Sequence, residues 1–166
     1  MKILGIDPGF ATMGYGVIEK DGRGGLSAID YGAIITPPSE NAAVRLAMLA
    51  ENLETLIRKH APDAVSVEEL FFNDNAKTAI KVAQARGVIL LCAVRECGNL
   101  FEYTPLQIKQ ALTGNGRAEK QQIQYMVRVI LKLKETPKPD DAADALAAAI
   151  CHAHMGNCAL AGRQVR

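Results

Sequence analysis

The chain has 166 residues, 49% of them hydrophobic, and a formal net charge of only +1, which suits one domain with a sizeable core and gives no compositional case for two. No apolar run approaches the length of a membrane span, and Asp7 interrupts the first apolar stretch, so neither a membrane protein nor a secretory signal is expected and a cytoplasmic location is. Cys92, Cys97, Cys151 and Cys158 lack paired C-x-x-C spacing and are expected to be reduced. Cys151, His152, His154 and Cys158 cannot all face one ion from a continuing helix, which argues against a zinc site. The charge is unevenly spread: residues 73–134 carry 10 Lys and Arg against 4 Asp and Glu, while both flanks carry more acids than bases. A basic middle between acid-bearing ends suits the binding and cutting of a polyanion, although any single lysine here is better explained as part of a solvated helix face.

In chain order, Lys2-Ile3-Leu4-Gly5-Ile6-Asp7-Pro8-Gly9 reads as a buried strand ending in an acid and a Pro-Gly turn. Asp7 then emerges at the carboxyl edge of a sheet, where α/β folds place their ligands. Met13 to Glu19 returns antiparallel, Asp21 to Gly25 turns, and Leu26 to Ile35 completes a three-strand meander. Ser39 is the expected cap of a helix to about His60, with an apolar stripe of Ala43, Leu46, Ala47, Ala50, Leu53 and Ile57. Pro62 ends it, and Ala64 to Val67 forms a fourth strand. A helical crossover leads to that strand, so it should run parallel to the first and bring Glu68 beside Asp7.

Asn73-Asp74-Asn75 reads as the cap of a long helix over about Ala76 to Cys97, apolar round much of its girth. Its Gly87 would admit another backbone, either within the fold or across a dimer. Leu100 to Tyr103 makes a fifth strand. Thr104-Pro105-Leu106-Gln107 opens a short helix with a capping box, and Gly114-Asn115-Gly116 closes it. Another helix spans about Glu119 to Lys132, and Asp140 is the expected cap of the last one. The element order is that of an α/β, ribonuclease H-like fold: a mixed five-stranded sheet of order 3-2-1-4-5 flanked by helices. A single domain is expected over 1–155, with a C-terminal tail over 156–166.

Asp141 and Asp144 are three residues apart in the first turns of that last helix, so both project from one face near the positive end of its dipole. Its many alanines would let the helix approach the sheet and add these acids to Asp7 and Glu68. Four carboxylates from three segments make an oxygen-only ligand set for Mg²⁺, with Mn²⁺ able to substitute. Two such ions suit phosphodiester hydrolysis. Taken singly, each acid is equally explained as a turn, cap or dipole residue; their agreement in topology is what points to a site.

Gly5-Ile6-Asp7-Pro8-Gly9 with Gly14-Tyr15-Gly16, Val67-Glu68-Glu69-Leu70-Phe71, Ala83-Gln84-Ala85-Arg86-Gly87, Ala118-Glu119-Lys120 and Asp141-Ala142-Ala143-Asp144-Ala145-Leu146-Ala147 resemble the motifs of the RuvC family of Holliday junction resolvases. The likeness runs from about Lys2 to His154. It implies a homodimer that binds four-way junction DNA and nicks two strands symmetrically in recombination and repair, with two divalent metals per subunit and RuvA and RuvB as partners. Asp7, Glu68, Asp141 and Asp144 fall on the family's catalytic acids, with Glu69 and Asp140 left to supporting or capping roles. Phe71 resembles an aromatic that wedges into the junction, against the plainer reading of packing under a loop. Lys109 and Lys120 match basic positions that touch the DNA backbone, and Arg117 is an added candidate.

Three other readings are open. A Gly-Ile-Asp-x-Gly hairpin also opens actin-like and sugar-kinase ATPases, but those need two lobes and this chain has room for one. An RNA-processing nuclease of the same fold is a second, and a junction-binding protein that has lost cleavage is the non-enzyme alternative.

Overall fold

The strand β1 (Lys2–Asp7) has its four middle residues buried and sheet partners on both edges in the computed structural model. The structure describes residues 1–69, 76–156 and 163–165. β2 (Thr12–Lys20) pairs antiparallel with β1, and β3 (Leu26–Ile35) with β2, completing the expected meander. The turn between them is held by Asp21 Oδ1, which accepts from the N–H groups of Arg23 and Gly25 at 2.8 Å. The helix α1 (Ala42–His60) crosses over to β4 (Ala64–Glu68), which lies parallel to β1 with Ile3 opposite Ala64 and Ile6 opposite Val67. The helix α2 (Ala76–Glu96) leads to β5 (Leu100–Tyr103), parallel to β4. Three helices follow, α3 (Pro105–Thr113), α4 (Lys120–Ile130) and α5 (Asp140–Met155).

The sheet order is β3-β2-β1-β4-β5-β6, so the expected order 3-2-1-4-5 holds and gains a short edge strand. That strand, β6 (Arg163–Val165), pairs antiparallel with β5 from within the segment read above as a tail. Alternation along the strands divides the core in two. Leu4, Ile6, Val17, Val65 and Val67 pack against α1 and α2, whereas Ile3, Ile18 and Tyr103 pack against α3, α4 and α5. Among the described residues no helix is long and apolar enough to cross a membrane, and Cys92, Cys97 and Cys151 are free thiols.

Two caps differ from the reading of the sequence. α1 is capped by Asn41, not Ser39: Asn41 Oδ1 accepts from Val44 N–H at 3.0 Å. Its buried stripe is Leu49, Leu53, Leu56, Ile57 and His60, with Ala43 and Ala47 exposed, because turning the leucines inward removes more apolar area from water than turning alanines inward. α5 is capped by Pro139 in an extended conformation, which leaves Asp140 inside the first turn and free to act elsewhere. By contrast Thr104 and Gln107 form the reciprocal capping box expected of them, and Gly114 closes α3 in the left-handed region at φ 72°. Asn73-Asp74-Asn75 lies outside the described residues.

What positions the site is the seat of α5 on the sheet. Gly5 of β1 and Gly16 of β2 face each other across the ladder, and Gly14 lies two residues along the same face. A Cβ on Gly5 would collide with the Ala145 carbonyl, one on Gly14 with the Asp141 carbonyl, and one on Gly16 with the Leu146 side chain. Helix and sheet therefore meet backbone to backbone, with the buried alanines of α5 completing the contact. Ser66 Oγ fixes the third strand beneath it by donating to the Ala148 carbonyl at 2.8 Å.

Candidate active site

Side chains two residues apart share a strand face, so Asp7 follows Gly5, and Glu68 follows Ser66, onto the face covered by α5. The parallel register makes Ile6 and Val67 partners, which places Asp7 and Glu68 side by side one residue further on. Asp7 is also the ladder partner of Gly14, and Gly14 lies beneath the backbone of Asp141. The first turn of α5 is thus set down next to the carboxyl ends of β1 and β4. Asp144, one turn along, lines a groove with Glu68, Lys109 and Lys120, floored by Ile108, Ile123 and Ala147. All four acids are half-buried, with one side open to solvent.

The acids raise one another's proton affinity. Burial, then the charges of Asp144 and Asp141, push the Asp7 carboxyl up to about 7, with Lys120 opposing. Burial, then Asp7 and Asp144, push Glu68 up to about 7 as well, opposed by Lys109 and Lys120. Burial raises Asp144 despite the lysine beside it. Lys120 Nζ lies 3.1 Å from Asp144 Oδ2 and 3.2 Å from Asp140 Oδ2. Burial works against the charge of Lys120, but these two carboxylates hold its ammonium above the usual lysine value.

Among the described residues no three of the His, Cys, Asp and Glu side chains are drawn together closely enough to hold an ion as they stand. Like-charge repulsion keeps carboxylates apart, and Lys120 is the cation against Asp144. The donor chemistry nevertheless fits a hard divalent cation: four half-buried carboxyl groups stand at the carboxyl ends of β1 and β4 and in the first turns of α5, burial and neighbouring acids bring Asp7 and Glu68 to about 7, and no sulfur or imidazole is among the four.

The structure brings Asp7, Glu68, Asp141, Asp144, Lys109 and Lys120 together. Arg117 stands apart on the exposed turn before α4, its N–H bonded to Asn115 Oδ1 at 3.0 Å. Phe71 lies outside the described residues. Glu69 supports β5 through its N–H, which donates to the Tyr103 carbonyl at 2.8 Å, and Asp140 pairs with Lys120 instead of capping. Reading the sequence missed the role of Gly14 and Gly16 as the seat of α5. Their alternate spacing on a strand, opposite Gly5, was the available signal.

A mixed sheet in this order, with acids gathered at its carboxyl edge beside lysines, is the arrangement of nucleases of the ribonuclease H-like class. The sequence profile of the family described as "Crossover junction endodeoxyribonuclease RuvC" matches residues 3–152. A protein of that name from Desulfitobacterium hafniense is 59% identical over 158 residues, which span 95% of this chain and 94% of the relative. Among solved structures, Thermus thermophilus RuvC superposes with a TM-score of 0.90 at 37% identity, covering 99% of this chain and all of the other. T. thermophilus RuvC in complex with a Holliday junction substrate superposes with a TM-score of 0.88 at 34% identity and 99% coverage of this chain and 100% of that one. The chain belongs to the RuvC family of crossover junction endodeoxyribonucleases.

Proposed function

We propose that this protein resolves four-way (Holliday) DNA junctions by paired, symmetric phosphodiester hydrolysis during homologous recombination and DNA repair in the bacterial cytoplasm. The observation that carries this reading is the gathering of Asp7 and Glu68, both raised to about 7 by burial and by neighbouring acids that include Asp144, at the end of a groove that Glu68 and Asp144 line with Lys109 and Lys120, in a chain of this family. Asp7, Glu68, Asp141 and Asp144 would hold two Mg²⁺ ions per subunit, or Mn²⁺ in their place, whose chemistry is to activate a water and stabilise the leaving oxygen.

The chain's own residues supply the rest. Lys109 and Lys120 project into the groove beside the acids and would hold the scissile strand by its phosphates. Arg117, on the adjoining turn, would extend that contact along the backbone. Phe71 would stack on an opened base step near the cut, offsetting part of the unstacking cost. The glycine seat under α5 fixes Asp141 and Asp144 on rigid elements, as phosphoryl transfer by positioned carboxylates requires.

Symmetric cutting needs two identical sites at a fixed separation, and α2 offers the surface for a homodimer. Ile80, Leu91 and Val94 are 62%, 56% and 41% exposed. Gly87, on the same side of α2, has among the described residues no neighbour from outside its own helix within 4 Å of where its Cβ would be. A helix of a second copy would pack along this stripe. RuvA and RuvB are the partners this reading implies.

The test is cleavage of a synthetic mobile four-way junction in Mg²⁺, with each strand labelled in turn and with linear duplex and structured RNA as competitors. Nicks at symmetry-related positions in two strands of like polarity, unaffected by duplex or RNA, are expected. Equal cleavage of linear duplex would contradict the proposal, and junction binding without cleavage would favour a binding protein.

A further inference from the structure

Lys120 opens α4 and Asp140 opens α5, and the lysine ammonium lies between two carboxylates of α5, 3.2 Å from Asp140 Oδ2 and 3.1 Å from Asp144 Oδ2. Asp140 and Asp144 are four residues apart and so share one helix face. They differ in setting: the Asp140 side chain is 63% exposed and that of Asp144 26%. Asp140 is absent from the groove lining that contains Glu68, Asp144, Lys109 and Lys120. It is an acid on the outer rim of a surface that must accept a polyanion, where its charge alone opposes binding.

The lysine explains it. Lys120 is itself 54% exposed on a flexible four-carbon stem, and a divalent ion taken up by Asp144 would repel its ammonium and remove one of its two anchors. We propose that Asp140 is a positioning residue: it keeps the Lys120 ammonium at the mouth of the groove, turned toward the phosphate backbone, once Asp144 is engaged by metal. The inference rests on the reading above that Asp144 is a metal ligand and that Lys120 contacts DNA. Exposed ion pairs contribute little to stability, so the role is one of geometry and not of holding the fold.

The two accounts of Asp140 differ in sign. If it is only a rim charge, Asp140→Asn removes repulsion and tightens DNA binding. If it positions Lys120, the same change frees the ammonium and weakens binding. Junction affinity is measured in Ca²⁺ in place of Mg²⁺ for wild type, Asp140→Asn, Asp140→Glu, Lys120→Gln and the Asp140→Asn/Lys120→Gln double variant, with melting temperatures recorded for each. Asp140→Asn is expected to weaken binding by roughly three- to tenfold, the scale of one phosphate contact, at an unchanged melting temperature. Asp140→Glu should retain wild-type affinity, and in the Lys120→Gln background Asp140→Asn should leave affinity unchanged or raise it. Tighter or unchanged binding by Asp140→Asn in the presence of Lys120 would overturn the inference alone. Failure of wild type to prefer the junction over duplex would overturn the resolvase reading and this inference with it.

Discussion

Gly14 lies beneath the backbone of Asp141 and is the ladder partner of Asp7, so one glycine sets how closely two of the four acids approach. Adding a methyl group there forces α5 away from β2. Gly14→Ala is expected to cost about 1–3 kcal/mol in chemical denaturation, the usual scale of overpacking, and to reduce junction cleavage well beyond that loss of folded fraction. A stable variant with an undiminished rate would show that the seat does not set the site.

The acids also govern pH dependence. Asp7 and Glu68 are raised from 3.8 and 4.5 to about 7, so the folded protein binds more protons than the unfolded chain between those values. That contribution to stability is fully present below the unfolded values and is lost as pH rises through about 7. Denaturation in EDTA should therefore show stability falling between pH 5 and 8, and millimolar Mg²⁺ should restore more at pH 8 than at pH 5. Asp7→Asn should flatten the profile. A metal-free profile that rises across this range, with no effect of Mg²⁺, would contradict the site's electrostatics.

The exposed face of α2 makes a separate prediction. Leu91→Glu introduces a charge where a second copy would bury a leucine, on a side chain already 56% exposed in the single chain. Monomer stability should change little, because more than half of that side chain is already open to solvent. Sedimentation should shift from dimer to monomer, and junction nicks should lose their pairing in the two strands. A dimer that survives Leu91→Glu would exclude this face.

Much of this architecture is written locally in the sequence. The Asp7-Pro8-Gly9 strand end, the Thr104 to Gln107 capping box and the crossover to Ala64 act through neighbouring residues, and the structure has each where periodicity and turn chemistry put it. The juxtaposition of Asp7 and Glu68 followed from topology alone. What was not legible depends on contacts between distant segments. The rotation of α1 onto Leu49, Leu53 and Leu56 is decided by the sheet it packs on. The glycine seat is decided by how closely α5 must approach, and the Lys120 bridge to Asp140 and Asp144 by where the starts of α4 and α5 meet in space.

The measurement that bears most directly on the account is the parallel determination of junction binding, junction cleavage and Mn²⁺ uptake for wild type and for Asp7→Asn. Wild type should take up Mn²⁺, bind the junction and cut it in symmetric pairs. Asp7→Asn should bind the junction with near wild-type affinity, take up Mn²⁺ more weakly, and cut at least about a thousandfold more slowly, the scale of losing a positioned electrostatic group. Cleavage that survives Asp7→Asn would mean that the acids at the ends of β1 and β4 are not the catalytic centre.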